Sequence, residues 1–129
     1  MPHLVIQYSA NLDGTVDMGA LCRALSAVLA GSGIFPAGGI RVRAYAAEDF
    51  AIADNHPRNA FADMVLRIGS GRSAVEKADT GTALMAAASA HFAALLNEPH
   101  FALSLEIVDI DAAASWKQNT IHPRLPGPG

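Results

Sequence analysis

Apolar residues recur along this chain at two alternating periods, short alternating runs and longer stretches at helical spacing, in the order strand, helix, strand, strand, helix, strand. The run Leu4-Val5-Ile6 predicts a first strand from Leu4 to Tyr8. Asn11-Leu12-Asp13-Gly14 reads as a turn. From about Val16 to Ala30, Met18, Leu21, Cys22, Leu25, Val28 and Leu29 fall on one helical face. Gly31-Ser32-Gly33 supplies the glycines expected past a helix C-terminus. Ile34 to Gly39 reads as a loop with a buried anchor. Ile40 to Ala46 predicts a second strand, with Arg41, Arg43 and Tyr45 on one face and Ile40, Val42 and Ala44 on the other. Glu48 to Asn59 is polar and irregular, with a turn at Asp54-Asn55-His56-Pro57.

The pattern then returns. Ala62 to Ile68 predicts a third strand, Met64, Leu66 and Ile68 alternating against Asp63, Val65 and Arg67. Gly69-Ser70-Gly71-Arg72-Ser73 is a tight turn, and Ser73 with Glu76 forms a capping box that starts a second helix. That helix is expected to run unbroken from Ala74 to Leu96, its apolar positions including Val75, Leu84, Ala88 and Phe92. Asn97 and Pro99 stop it. Leu103 to Ile110 predicts the fourth strand. Residues 112–129 form a tail whose end, Pro126-Gly127-Pro128-Gly129, is expected to be loose.

These elements predict an α/β fold of tandem β-α-β units in one domain spanning 1–129. The halves lie at about 2–59 and 60–111, followed by the tail. Each right-handed crossover joins a parallel pair of strands. A four-stranded sheet with both helices on one face leaves the other face bare. Val5, Val42 and Val65 are expected there, and subunits are expected to pack on it.

Composition narrows the classes. Hydrophobic residues make up 51% of the 129 residues and charged residues 16%, a globular balance with length for one small core. A net charge of −3 without a basic stripe argues against nucleic acid as a partner. A single cysteine, Cys22, cannot form an intrachain disulfide and fits a reducing compartment. No signal peptide or membrane span is visible, so a cytoplasmic protein without a membrane partner is expected. The scattered histidines lack the spacing of a zinc site, so no metal is implied. Gly69-Ser70-Gly71-Arg72 lacks the spacing of a P-loop and reads as a strand-to-helix turn. Asp13 and Asp17 read as caps and dipole partners of the first helix.

The candidate chemistry starts at Pro2. A proline after the initiator methionine is normally exposed by removal of Met1. It then carries a secondary amine, and an α-amino group titrates at about 7.7–8.0 in model peptides. Such an amine needs only a modest downward shift to serve as a base near neutrality. Arg41 on the second strand and Arg72 at the second helix start are the cations to place beside it. Guanidiniums in one pocket with the amine would lower its pKa, hold a polyanion and stabilise a developing enolate.

The stretches Pro2-His3, Gly33-Ile34-Phe35-Pro36, Gly39-Ile40-Arg41, Gly71-Arg72-Ser73, His91-Phe92-Ala93-Ala94-Leu95 and Lys117-Gln118-Asn119 lie in order along nearly the whole chain. In them the chain resembles the 5-carboxymethyl-2-hydroxymuconate isomerases, tautomerase-superfamily members with an amino-terminal proline. The resemblance implies a homotrimer and a cofactor-independent isomerase of homoprotocatechuate breakdown. It implies Pro2 as general base, Arg41 and Arg72 as substrate-binding residues, and a small polycarboxylate as substrate. The alternatives are another reaction of the superfamily, such as decarboxylation or hydration of an unsaturated acid, or a trimeric binding protein without turnover.

Overall fold

Alternation along the first strand decides which side of the sheet becomes the core. The computed structural model describes residues 1–125, so the tail residues 126–129, expected to be loose, lie outside the described residues. Strand β1 (His3–Ser9) turns Leu4, Ile6 and Tyr8 inward, where all three are buried. Strand β3 (Ala60–Gly69) does the same with Ala62, Met64, Leu66 and Ile68. Strands β2 (Arg41–Ala47) and β4 (Phe101–Ile110) flank this central pair, giving the order β2-β1-β3-β4. β1 pairs with β2 in parallel, and β3 pairs with β4 in parallel. The junction between the halves, β1 with β3, is antiparallel.

Helix α1 (Met18–Gly31) buries Leu21, Leu25 and Leu29 against the sheet. Asp17 caps its start by accepting a hydrogen bond from the Ala20 amide at 2.9 Å. Beyond its C-cap, Ser32, the chain leaves through Gly33 at φ +78°, a left-handed conformation that glycine adopts without penalty. The loop anchor is Phe35, which is buried. Helix α2 (Ala74–His91) begins with the expected capping box, both Ser73 and Glu76 making their reciprocal bonds.

Three expectations are corrected. Val42 does not lie on the bare face: with Ala44 and Ala46 it packs against the core, because β2 turns Arg41, Arg43 and Tyr45 the other way. Val5 and Val65 do lie on the bare face, directly opposite one another. The second helix does not run unbroken to Leu96. It ends at His91 and resumes as a single turn, α3 (Ala93–Leu96). Phe92 sits at the break, buried and packed on the Phe101 ring at 4.9 Å, so tertiary packing holds the chain where helical periodicity alone would continue. Val75, read as part of the apolar helix face, is exposed; Thr80, Leu84 and Ala88 form the buried face.

Cys22 is half-buried against the core, and burial pushes its thiol pKa up. A thiol held protonated is a poor nucleophile, as its place in the apolar pattern implied. Among the described residues, no helix is long and apolar enough to cross a membrane.

Candidate active site

The mixed topology gathers four chain segments at one end of the sheet. β1 and β2 both start there, since His3 pairs with Arg41, and the Arg41 amide donates to the Pro2 carbonyl at 3.1 Å. β3 runs the opposite way, so its Arg67-Ile68-Gly69 end arrives beside His3. β4 follows β3 with Gly69 opposite Ile110, which delivers the tail to the same place. Met1, His3, Arg41, Gly69, Ile110, Ala112 and the tail run Ser115-Trp116-Lys117-Gln118 line a cleft of about 550 Å³ here. Pro2, between Met1 and His3 at the root of the first strand, is buried and is not itself among the lining residues.

Positive charge dominates the cleft. Burial, then Lys117, Arg72 and Arg41 in that order, hold the Met1 amino group below its usual 8.0. Burial, then Arg67, Arg41, Arg43 and the amino terminus, push the His3 imidazole from 6.5 down to about 4. His3 is therefore neutral near pH 7. Arg41 Nη1 lies 3.1 Å from its Nε2, and Arg43 Nη1 lies 3.3 Å from its Nδ1. A neutral imidazole has one ring nitrogen free to accept, so it accepts from one of these arginines at a time. Either way it orients guanidinium groups without adding charge.

The proposed site residues are partly brought together. The Arg41 side chain lines the cleft and its amide donates to the Pro2 carbonyl, but Pro2 itself is buried and does not line it. Arg72 does not line it: Nη2 donates to the Ile34 carbonyl at 2.9 Å, Nη1 donates to the Gly69 carbonyl at 3.1 Å, and the guanidinium lies 4.6 Å from the centre of the Phe35 ring. It still acts on the amino terminus through its charge. Arg72 thus ties the loop after α1 to the turn before α2, a structural job that its place in the sequence did not reveal. His3 and Lys117 were not among the predicted site residues. The available signal was the run Lys117-Gln118-Asn119, polar residues kept together in a tail with no strand or long helix.

The fold is a sheet of two parallel pairs joined antiparallel, with the helices packed on one side and a cation-ringed amino terminus at one end. A solved fused 4-OT, a symmetric trimer, shares the fold with a TM-score of 0.67 at 17% identity, covering 98% of each chain. The chain belongs to the 5-carboxymethyl-2-hydroxymuconate isomerase family, whose model matches residues 2–125. It is 35% identical over 122 residues to the 5-carboxymethyl-2-hydroxymuconate Delta-isomerase of Escherichia coli, covering 95% of this chain and 97% of that protein. A crystal structure of a 5-carboxymethyl-2-hydroxymuconate isomerase from Deinococcus radiodurans R1 superposes with a TM-score of 0.90 at 42% identity, covering 95% of this chain and 92% of that one.

Proposed function

We propose that this protein isomerises 5-carboxymethyl-2-hydroxymuconate to its 2-oxo form, in the cytoplasm, as a step of homoprotocatechuate breakdown. Removal of Met1, which lines the cleft, would uncover Pro2 there with a free secondary amine. The neutral nitrogen takes the proton of the 2-hydroxyl. As C2 becomes a carbonyl the two double bonds shift, and the protonated amine returns a proton to C5. Atoms balance, and no cofactor is called for. Arg41 faces the developing negative charge on oxygen, where a fixed cation favours the transition state more than the ground state. Arg72 adds charge at longer range. The observation that carries this reading is the convergence of the Pro2 end of β1 with Arg41 in a cleft whose charges hold an amine below its ordinary pKa. The test is a spectroscopic assay for loss of the diene chromophore with the Met1-free protein. No turnover of any 2-hydroxymuconate would remove the proposal.

The pH dependence follows from the sign of that shift. Burial, Lys117, Arg72 and Arg41 lower the Met1 amine, and the reading takes the same charges to act on the Pro2 amine once Met1 is removed. The active form is the deprotonated one, so it appears above the pKa. The kcat/KM profile is expected to rise with pH through a midpoint below the usual 7.7–8.0 of an α-amino group. A profile flat from mildly acidic to alkaline pH would assign the proton to another group.

The reading takes the active unit to be a homotrimer of this one domain. Its support is the bare sheet face, where Val5 and Val65 are half-buried and Tyr45 and Val108 are 54% and 38% exposed. Apolar side chains gathered on a sheet face without helices are what a neighbouring subunit covers. Sedimentation at micromolar concentration is expected to give three times the chain mass of 13.4 kDa. A stable monomer would refute the assembly.

A further inference from the structure

Resting on the isomerase reading above, we propose that Lys117 is a specificity-determining residue: its ammonium binds the carboxylate that distinguishes a tricarboxylate substrate from a dicarboxylate one.

The argument begins with a count of charges. The substrate carries three carboxylates, yet the side chains lining the cleft include only two permanent cations, Arg41 and Lys117. The other cations nearby, Arg43, Arg67 and Arg72, do not line the cleft. Both terminal nitrogens of Arg72 donate to backbone carbonyls, and Arg43 is held against His3. His3 itself is neutral near pH 7. Arg41 stands at the Pro2 end, beside the place where chemistry occurs. Lys117 reaches the same cleft from the tail, and among the described residues its ammonium makes no hydrogen bond or ion pair, so it is available to a carboxylate. An ammonium on a flexible stem suits such a point contact.

The tail is seated, not loosely laid. Asn119 Nδ2 donates to the Gly38 carbonyl at 2.8 Å. Its Oδ1 accepts from the Ile121 and His122 amides at 2.8 and 3.2 Å. One side-chain amide thereby pins the tail to the loop before β2 and also folds the tail on itself. His122 then packs so closely on Gly38 that a Cβ at that position would lie 2.8 Å from the His122 Cα. Glycine is required there by close approach of two backbones. At the other end, Asp111 accepts from the Ala113 amide at 3.0 Å as β4 gives way to the tail. Lys117 sits between these two fixed points, two residues from Asn119, so its backbone is held at the cleft wall before substrate arrives. That is the preorganisation expected of a binding residue.

Lys117 is exposed, so Lys117→Gln should leave the fold intact. A carboxylate contact made equally in ground and transition states raises KM and leaves kcat nearly unchanged. With the Met1-free protein, Lys117→Gln is expected to lower kcat/KM for 5-carboxymethyl-2-hydroxymuconate by about 10- to 100-fold, mostly through KM, the range of one charged hydrogen bond. For 2-hydroxymuconate, which lacks the carboxymethyl group, the loss should be clearly smaller when both are measured on the high-pH plateau, where the amine is deprotonated with or without the Lys117 charge. Lys117→Arg should recover much of the difference. Calorimetry supplies a reading independent of turnover: propane-1,2,3-tricarboxylate should bind wild type more tightly than glutarate does, and Lys117→Gln should abolish that preference. Equal losses on both substrates, no loss on either, or an unchanged preference in calorimetry would overturn the assignment. Failure of the wild type to turn over either substrate would instead defeat the isomerase reading, leaving calorimetry to judge Lys117 alone.

Discussion

Protein that keeps Met1 will fold and assemble normally yet be almost inactive, and enzymatic removal of Met1 will restore turnover. The reason lies in one bond. With Met1 attached, the Pro2 nitrogen is a tertiary amide whose lone pair is delocalised into the Met1 carbonyl, so it is no base at any useful pH. The free amine then belongs to Met1, about 3.8 Å farther along the chain. The Met1 side chain adds a second obstacle, because it lines the cleft itself. Its sulfur lies 3.6 Å from Arg41 Nη2 and 3.1 Å from Asn119 Nδ2, in space a substrate would enter. Stability should hardly change. The core is made by Leu4, Ile6 and their partners, and the contacts to the Met1 sulfur are weak ones. Intact mass, melting temperature and turnover measured on both preparations decide the matter. Equal activity with Met1 fully retained would eliminate Pro2 as the base.

Arg41→Ala and Arg72→Ala are both expected to impair turnover far more than Arg23→Ala, but they should do so differently. Arg41 lines the cleft, and its loss removes a charged contact to substrate. That typically costs about 1.5–3 kcal/mol, or roughly tenfold to more than a hundredfold in kcat/KM. The melting temperature should move little, since the partners of its Nη atoms are His3 and the Met1 sulfur. Arg72→Ala should lower turnover and stability together. It strips the Ile34 and Gly69 carbonyls of donors and the Phe35 ring of its cation. A destabilisation of about 1.5–3 kcal/mol is expected from those charged hydrogen bonds. Arg23 is exposed on α1 and serves as the control. If Arg41→Ala and Arg72→Ala both keep wild-type kinetics, the site is misassigned. If Arg72→Ala loses activity at full stability, Arg72 contacts substrate directly, against the hydrogen bonding found here.

The contrast between the two arginines marks how far local sequence could reach. Both were singled out as cations for one pocket. For Arg41 the period-two alternation of β2 was enough: it put the side chain on the face opposite Val42, and parallel pairing with β1 put it beside Pro2. For Arg72 the sequence specified the backbone, a glycine turn before a capping box, and said nothing of where a long side chain would point. Its partner Ile34 is 38 residues away, and only packing of the loop after α1 against the turn before α2 brings them together.

What the sequence determined by itself was periodic or local. Alternation of two and of about 3.6 residues placed both helices and all four strands near their observed bounds, the end of the second helix excepted, because each period is set by backbone geometry at that point in the chain. The capping box, the Asp17 cap, the glycine exit from α1 and the buried anchor of its loop are equally local, and all are present. Tertiary structure alone decided the rest. Antiparallel pairing of β1 with β3 brings the starts of β1 and β2 to the ends of β3 and β4 and so makes the cleft, and no period encodes a choice between edges. Packing between Phe92 and Phe101 broke a helix that its own sequence would have continued. Lys117 and Asn119 acquired a place only when β4 carried the tail back to Gly38 and Met1, since polar residues in an aperiodic segment have no geometry until distant backbone groups supply their partners.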